Sequence, residues 1–129
     1  MARTIKSGAV IFAKDTARVA RFYATLVPMT VLGEEEDAVR LENDAIQLVI
    51  HPLPPAHAKR VQIANPPEPR MDVPVKLVFA VESIAQIRAQ AAALGGTVKP
   101  VSAEFVWAGF RACDGTDPEG NVIQFREPA

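Results

Sequence analysis

The residues best suited to metal or acid–base chemistry in this chain are its two histidines, His51 and His57. In the stretch AIQLVIH, His51 has the same strand parity as Gln47, so both side chains should lie on one face of a strand. His57 lies in a proline-rich stretch. With Gln47 and Gln124, the two imidazoles would suffice for an improvised polar or metal site. The simpler interpretation is that both are surface or strand-end histidines. The sequence leaves both interpretations of His51 and His57 open.

Two further groups carry reactive side chains but favour structural roles. Cys113 has no histidine close to it in sequence, which indicates a small buried packing residue rather than an activated thiolate. As the single cysteine, it also excludes an intrachain disulfide. The acidic run EEED, residues 34–37, lies between two strand candidates. It is interpreted as a solvated hairpin turn rather than a metal cluster.

The elements that must position these groups begin with a strand at residues 5–14, followed by Asp15 as a helix N-cap. Apolar residues then recur at i, i+3, i+4 and i+7, the spacing of one buried helix face. They are Val19, Phe22, Tyr23 and Leu26, and Pro28 marks the end of the helix. Strands are predicted at 29–33, 38–42 and 45–51, with a hairpin turn at 42–44.

Residues 52–74 contain seven of the eleven prolines and predict a linker, with at most a short strand at VQIA. The same order of elements then recurs: a strand at 73–82, a helix capped by Ser83 and Gln86, and strands at 97–102, 109–114 and 121–127. Gly95 and Gly96 end that helix. Its buried face is Ile84, Ile87, Ala91 and Leu94. This internal repeat is the strongest organisational signal in the chain.

Composition limits the function classes. With 129 residues, 49% of them hydrophobic and 22% charged, the chain is long enough for one ordinary globular domain. The net charge of −1 includes no basic stripe, which argues against nucleic acid as a partner. No apolar run is long enough to span a membrane, and the N-terminus lacks the pattern of a signal peptide. A cytoplasmic location is expected.

Three stretches resemble the vicinal oxygen chelate superfamily, which includes glyoxalases, extradiol dioxygenases, and fosfomycin- and bleomycin-resistance proteins. They are AKDTARVARFY (13–23), VFAVESIAQIRAQAAALGG (78–96) and DGTDPEGNVIQFRE (114–127). The resemblance implies an α+β fold of two βαβββ modules forming a cupped mixed sheet across the whole chain, residues 1–129. The first module then covers about 1–51, the linker 52–73 and the second module about 74–129.

The most specific of these stretches is the turn DPEGN, residues 117–121, before the last strand. Gly120 can adopt the positive φ that a tight reversal needs, while Asp117 and Asn121 can bond local backbone. This turn would fix the register of the strand. In the resembling fold one sheet face packs on the helices and the other lines a crevice. Ile123 and Phe125 suit the helix side, so Gln124 should face the crevice.

The resemblance also identifies the four positions that carry metal ligands in metal-dependent members, usually His, Glu or Gln. Here they fall on Gly8, Gln47, Lys76 and Gln124. Glycine has no side-chain ligand, lysine would repel a divalent cation, and two neutral amides rarely hold a transition metal alone. The expectation is therefore that the protein has no metal and no cofactor.

The resemblance instead implies an apolar crevice that suits a small organic molecule. Trp107 and Phe110 could form its wall, although Trp107 could equally pack in the core. Because no acid on its own strand can reach Lys76, we expect this lysine to meet an anionic ligand, or alternatively to point to solvent at a dimer edge. The predicted ligand-binding residues are Phe12, Gln47, His51, Lys76, Trp107, Phe110 and Gln124.

Three functional classes remain open. The first, which the sequence favours, is a metal-free protein that binds or sequesters a small organic ligand, as in the bleomycin-resistance group. The second is a lyase- or dioxygenase-like enzyme with a non-standard metal site or with Lys76 as acid or base. The third is a partner subunit without ligand chemistry. The resemblance further implies a homodimer, to which the stiff linker at 52–73 could contribute as an arm.

Overall fold

The first module follows the predicted element order. The computed structural model describes residues 5–129, so residues 1–4 of the predicted first module lie outside it. The elements are β1 (Gly8–Ala13), α1 (Thr16–Leu26), β2 (Thr30–Glu35), β3 (Ala38–Glu42) and β4 (Gln47–Pro52). The strands form a sheet in the order β1-β4-β3-β2, in which β1 and β4 are parallel and the other neighbours antiparallel.

Helix α1 forms for the reasons that the sequence suggests. The side chain of Asp15 accepts a hydrogen bond from the backbone N–H of Arg18 at 3.1 Å and so caps the first turn. The four apolar residues predicted to share one face are all buried, which confirms the helical spacing. They pack on the inner face of the first sheet, where Ile11, Leu48 and Ile50 are buried.

The linker crosses the surface with one short helix, α2 (Pro55–Ala58). The prediction of a strand at VQIA is wrong, because residues 61–64 belong to no strand. The linker instead makes a single isolated bridge, from Arg70 to Asn121. Regular pairing resumes only at Leu77, so the predicted strand at 73–82 is shorter than expected.

The second module contains β5 (Leu77–Ala80), α3 (Ile84–Ala91), β6 (Thr97–Val98), β7 (Phe105–Trp107), β8 (Phe110–Thr116) and β9 (Val122–Pro128). Its sheet has the order β5-β9-β8-β6, and β7 also pairs with β8. Strand β5 is parallel to β9, just as β1 is parallel to β4, so the predicted repeat is confirmed at the level of topology. The structure is therefore the expected α+β fold of two modules.

The second module departs from prediction between residues 97 and 109. The strand predicted at 97–102 ends at Val98, because Pro100 interrupts the pairing and residues 101–103 form a 3-10 turn. Strand β7 was not predicted. The helix ends as expected: Ser83 caps it by accepting from the N–H of Gln86 at 3.2 Å, and Gly95 adopts a φ of +89°.

The DPEGN turn joins the two modules as well as setting the register of β9. Gly120 has the predicted positive φ of +89°, and Asp117 accepts from the N–H groups of Glu119 and Asn121. Asp117 also accepts from the hydroxyl of Tyr23 on α1 at 2.8 Å. The Glu119 carboxylate accepts from the backbone N–H groups of Lys14 and Asp15, each at 2.7 Å.

In addition to these contacts, the two modules share one apolar core. Phe22 and Tyr23 from α1 belong to the same buried cluster as Phe79, Ile84 and Phe125 of the second module. As predicted, Ile123 and Phe125 point to this inner side. Within residues 5–129 no helix has the length and apolar character needed to span a membrane.

Candidate functional site

A row of polar contacts crosses the outer face of the second sheet, the face turned away from α3. It starts where β5 begins, with Lys76, whose Nζ lies 2.7 Å from Oδ2 of Asp114 on β8. The other oxygen of Asp114 accepts a 3.0 Å hydrogen bond from Nε2 of Gln124 on β9. Because Val78 and Asp114 both pair with Gln124 across the sheet, period-2 alternation puts these side chains on one face.

The row continues towards the β7–β8 hairpin. Oε1 of Gln124 accepts from Nε of Arg126 at 2.7 Å, and the guanidinium of Arg126 stacks 4.2 Å from the centre of the Phe110 ring. Phe110 meets Trp107 edge-to-face, with 5.5 Å between ring centres. Trp107 is 65% exposed, so the alternative that it packs in the core is wrong. Trp107 and Phe110 lie together on the outer face of the second sheet, and their predicted role as a wall of a ligand crevice stays a prediction.

Asp114 is the electrostatic centre of this row. Burial alone would raise the pKa of its carboxyl group. Hydrogen bonds from Lys76 and Gln124, with the positive charges of Lys76 and Lys99, outweigh burial and lower the pKa of Asp114 below its usual value. The group is thus held as a carboxylate. The expectation that Lys76 lacks a partner within the chain is therefore wrong.

The predicted site residues of the first module occupy the outer face of the other sheet. Gly8 pairs with Gln47, and Nε2 of Gln47 donates to Glu42 at 2.9 Å. Phe12 pairs with His51, and their rings meet edge-to-face at 5.5 Å. Phe12 is about half exposed and His51 is exposed. The structure therefore brings the seven predicted residues together as two groups, one on each sheet.

A cavity of about 380 Å³ lies between the end of the linker and the outer face of the second sheet. The end of the linker and the residues before β5 contribute an apolar wall of Met71, Val73 and Val75. A second cavity of about 270 Å³ lies beside it against β1 and includes Phe12. Four residues line both cavities, so together they form one groove beneath the linker: Arg70, Val73, Val75 and Val122.

Lys76 lines the larger cavity and Phe12 the smaller, whereas the other five predicted residues line neither of these two. The sequence patterns did not identify the other charged residues of the larger cavity, Arg70, Lys99 and Asp114. Arg70 lies in the linker, where no periodicity marks a face. Lys99 follows β6 directly and lies two residues after Thr97, the correctly predicted first residue of that strand. That spacing was the available signal for Lys99.

The four family positions do not suit a metal ion. A Cβ added at Gly8 would lie 1.9 Å from the carbonyl oxygen of Gln47, so the present backbone excludes any side chain there. Lys76 is paired with Asp114, and Gln124 is held between Asp114 and Arg126. Among residues 5–129, no three His, Cys, Asp or Glu side chains are placed to bind a metal together.

The remaining chemistry-bearing residues have structural surroundings. Cys113 is fully buried as expected, with its Sγ 3.6 Å from Nη2 of Arg88. Arg88 in turn pairs with Glu104, and this hydrogen bond raises the pKa of the guanidinium. The acidic run at 34–37 is exposed at the β2–β3 hairpin: Glu34 and Glu35 end β2, and Glu36 and Asp37 form the predicted turn. His57 is exposed on α2.

Comparisons with known proteins agree with this architecture. The sequence profile of the family described as "Glyoxalase-like domain" matches residues 8–125. A search of curated proteins found no match.

Three solved structures show the extent of the likeness. A glyoxalase/bleomycin resistance protein/dioxygenase family enzyme from Burkholderia phytofirmans PsJN is 15% identical, with a TM-score of 0.70 over 95% of this chain and 98% of that one. A glyoxalase/bleomycin resistance protein from Albidiferax ferrireducens T118 is 19% identical, with a TM-score of 0.66 over 95% and 98%.

The fosfomycin resistance protein FosX from Mesorhizobium loti is 10% identical, with a TM-score of 0.64 over 100% of this chain and 95% of that one. At such identities these structures establish the shared fold, while the profile match covers most of the sequence. The chain therefore belongs to the glyoxalase-like domain family of the vicinal oxygen chelate superfamily.

Proposed function

We propose that this protein binds a small organic molecule, without a metal ion, in the groove beneath its linker. The observation that carries the proposal is the larger cavity, whose volume of about 380 Å³ falls in the range of small-molecule sites, about 300–1,000 Å³. Its apolar wall supplies contact area, and its few polar groups, Thr97 and Lys99 among them, supply orientation. The likeness in fold to resistance proteins supports a binding or sequestering role of the resistance type.

The donor chemistry favours binding over metal-dependent catalysis. The chain presents glycine, two amides and an ammonium at the four family positions, and the amides and the ammonium already have partners within the chain. A lysine acting as acid or base needs an environment that destabilises its charge, whereas Asp114 neutralises the charge of Lys76 at 2.7 Å. The enzyme alternatives therefore receive less support than ligand binding.

The proposal is tested by two measurements on one preparation. Protein purified without chelator or nickel affinity is exposed to Zn²⁺, Ni²⁺, Mn²⁺ and Fe²⁺, dialysed, and analysed by elemental mass spectrometry. We expect less than about a tenth of an equivalent of metal per chain, because weak neutral donors do not retain these ions. Ligand-observed NMR against a library of small organic molecules should then identify saturable binders.

A matched pair of variants locates the binding. Val122→Phe adds bulk to the cavity floor shared by both parts of the groove, whereas Val101→Phe makes the same change at a site that is 67% exposed and lines neither cavity. Binders should be lost in the first variant and kept in the second. Retention of one equivalent of metal, or the absence of any saturable binder, would refute the proposal; the latter would favour a partner subunit.

We also propose that the protein acts as a homodimer. The outer faces of both sheets expose large apolar side chains, including Val10, Phe12 and Trp107, at 51–65% of their area. A second copy that covers these faces would remove them from water, which is the usual role of such a patch.

A further inference from the structure

The charges around the larger cavity are unequal. Three cationic side chains line it, Arg70, Lys76 and Lys99, against a single carboxylate, Asp114. Lys76 and Gln124 engage both oxygens of that carboxylate. The charges of Lys76 and Asp114 therefore cancel each other. Arg70 and Lys99 then leave an excess of two positive charges at an otherwise apolar site.

Lys99 is the better-placed of the two lysines for an anionic ligand. Its backbone N–H donates to the carbonyl of Asp114 at 2.9 Å, which continues the β6–β8 pairing beyond Val98 and places Lys99 on the same face as Thr97. Its charge acts on Asp114, yet among residues 5–129 its ammonium forms no ion pair. The three ammonium donors thus remain available to a ligand.

A hydroxyl donor lies next to Lys99. Oγ1 of Thr97 and Oγ1 of Thr116 are 2.6 Å apart, and both residues line the cavity. Two hydroxyl groups carry two hydrogens, and their mutual hydrogen bond uses one of them. The second hydrogen can be donated to an acceptor in the cavity. An ammonium and a hydroxyl on one strand face make a donor pair suited to a carboxylate or sulfonate.

Arg70 supplies the opposite wall and is fixed by the intermodule turn. Its backbone N–H donates to the carbonyl of Gly120 at 2.8 Å, and its Nε donates to the carbonyl of Glu119 at 3.2 Å. No hydrogen bond within residues 5–129 engages its two terminal amino groups. These groups are therefore free for a planar anion, for which guanidinium geometry is well matched.

We infer that the ligand is an organic anion, with one carboxylate- or sulfonate-type group recognised by Lys99 and Arg70 rather than by Lys76. Its apolar body packs against the apolar wall of Met71, Val73 and Val75. This inference rests on the proposed function, which requires a small-molecule ligand but not its charge. It replaces Lys76, the residue that the sequence suggested, with Lys99.

The test uses two fluorescent probes that differ by one group. 1-Anilinonaphthalene-8-sulfonate carries a sulfonate, and N-phenyl-1-naphthylamine is its neutral counterpart; both become fluorescent on entering an apolar site. The native protein should bind the sulfonate at least tenfold more tightly than the neutral probe. Lys99→Met should lower affinity for the sulfonate at least tenfold and leave the neutral probe within about twofold, since only the anion loses a partner.

The matched control is Lys76→Met combined with Asp114→Asn, which removes both charges of the internal pair and leaves the net charge of the cavity unchanged. This double variant should bind the sulfonate within about threefold of the native protein. Equal binding of both probes by the native protein would overturn the anion inference and leave the proposed function standing. A larger loss in the double variant than in Lys99→Met would also overturn it. Failure of both probes to bind would count against the groove itself.

Discussion

The hydroxyl of Tyr23 is the most informative single group in the contact between the modules. It is fully buried and donates a 2.8 Å hydrogen bond to Oδ2 of Asp117. Tyr23→Phe removes this hydrogen bond and keeps the ring, which packs against Phe22 at 5.2 Å and Phe79 at 5.4 Å between ring centres. A hydrogen bond to a charged acceptor contributes about 1.5–3 kcal/mol. Because Asn121 still donates to the same oxygen, we expect a loss of about 2 kcal/mol.

Urea denaturation followed by far-UV circular dichroism measures this loss. With a denaturant slope of about 1–3 kcal/mol per molar for a small protein, the midpoint should fall by about 1 M and the slope should stay the same. The matched control is the exposed Val106→Thr on β7, which should leave the midpoint within about 0.3 M. An unchanged midpoint in Tyr23→Phe would show that the turn does not hold the modules together through this contact.

The same residue gives a pH dependence with a definite sign. Burial, followed by the charge of Asp117 and the hydrogen bond to it, raises the pKa of Tyr23 well above its usual value of 10.0. The native state therefore keeps a proton that the unfolded state releases above about pH 10, so this contribution to stability is complete below pH 10 and declines as the pH rises further. Tyr23→Phe should show a flatter decline.

Because Tyr23 is the only tyrosine, absorbance at 295 nm reports its ionisation without interference from another phenol. The folded protein should show no phenolate at pH 10–11, and the signal should appear together with unfolding. Titration near pH 10 while the circular dichroism remains native would refute the buried contact.

Two further predictions concern the first module. Gly8→Ala should destabilise the protein by about 1–3 kcal/mol in urea denaturation, because the new Cβ would meet the carbonyl oxygen of Gln47; native stability would show that β1 can shift to admit a side chain at this family position. For the dimer, light scattering should give twice the 13.9 kDa chain mass, and Phe12→Glu should give single chains, since it puts a charge on the exposed apolar face; a native particle of 13.9 kDa would contradict the proposal.

Local patterns in the sequence were enough to predict most of the fold. Helix α1 has a capping aspartate and four correctly spaced apolar residues, and the DPEGN turn sets the phase of β9, so each element is specified within about ten residues. The region 97–109 was predicted less well. Its short strands and a hairpin tip with positive φ at Ala108 and Gly109 depend on pairing with β8, which is not a local property.

The difference between local and non-local properties also explains why the sequence patterns did not predict the partner of Lys76. No acid on its own strand lies within reach of Lys76, and this local pattern predicts an unpaired cation that is available to a ligand. Asp114 is 38 residues away in sequence and becomes its partner only because β9 lies between β5 and β8 in the sheet order. Strand parity predicts the sheet face on which each side chain lies. Which side chains come into contact depends on the order of the strands in the sheet. An unpaired cation in this cavity is therefore identified by eliminating partners across the whole sheet, and that elimination leads to Lys99.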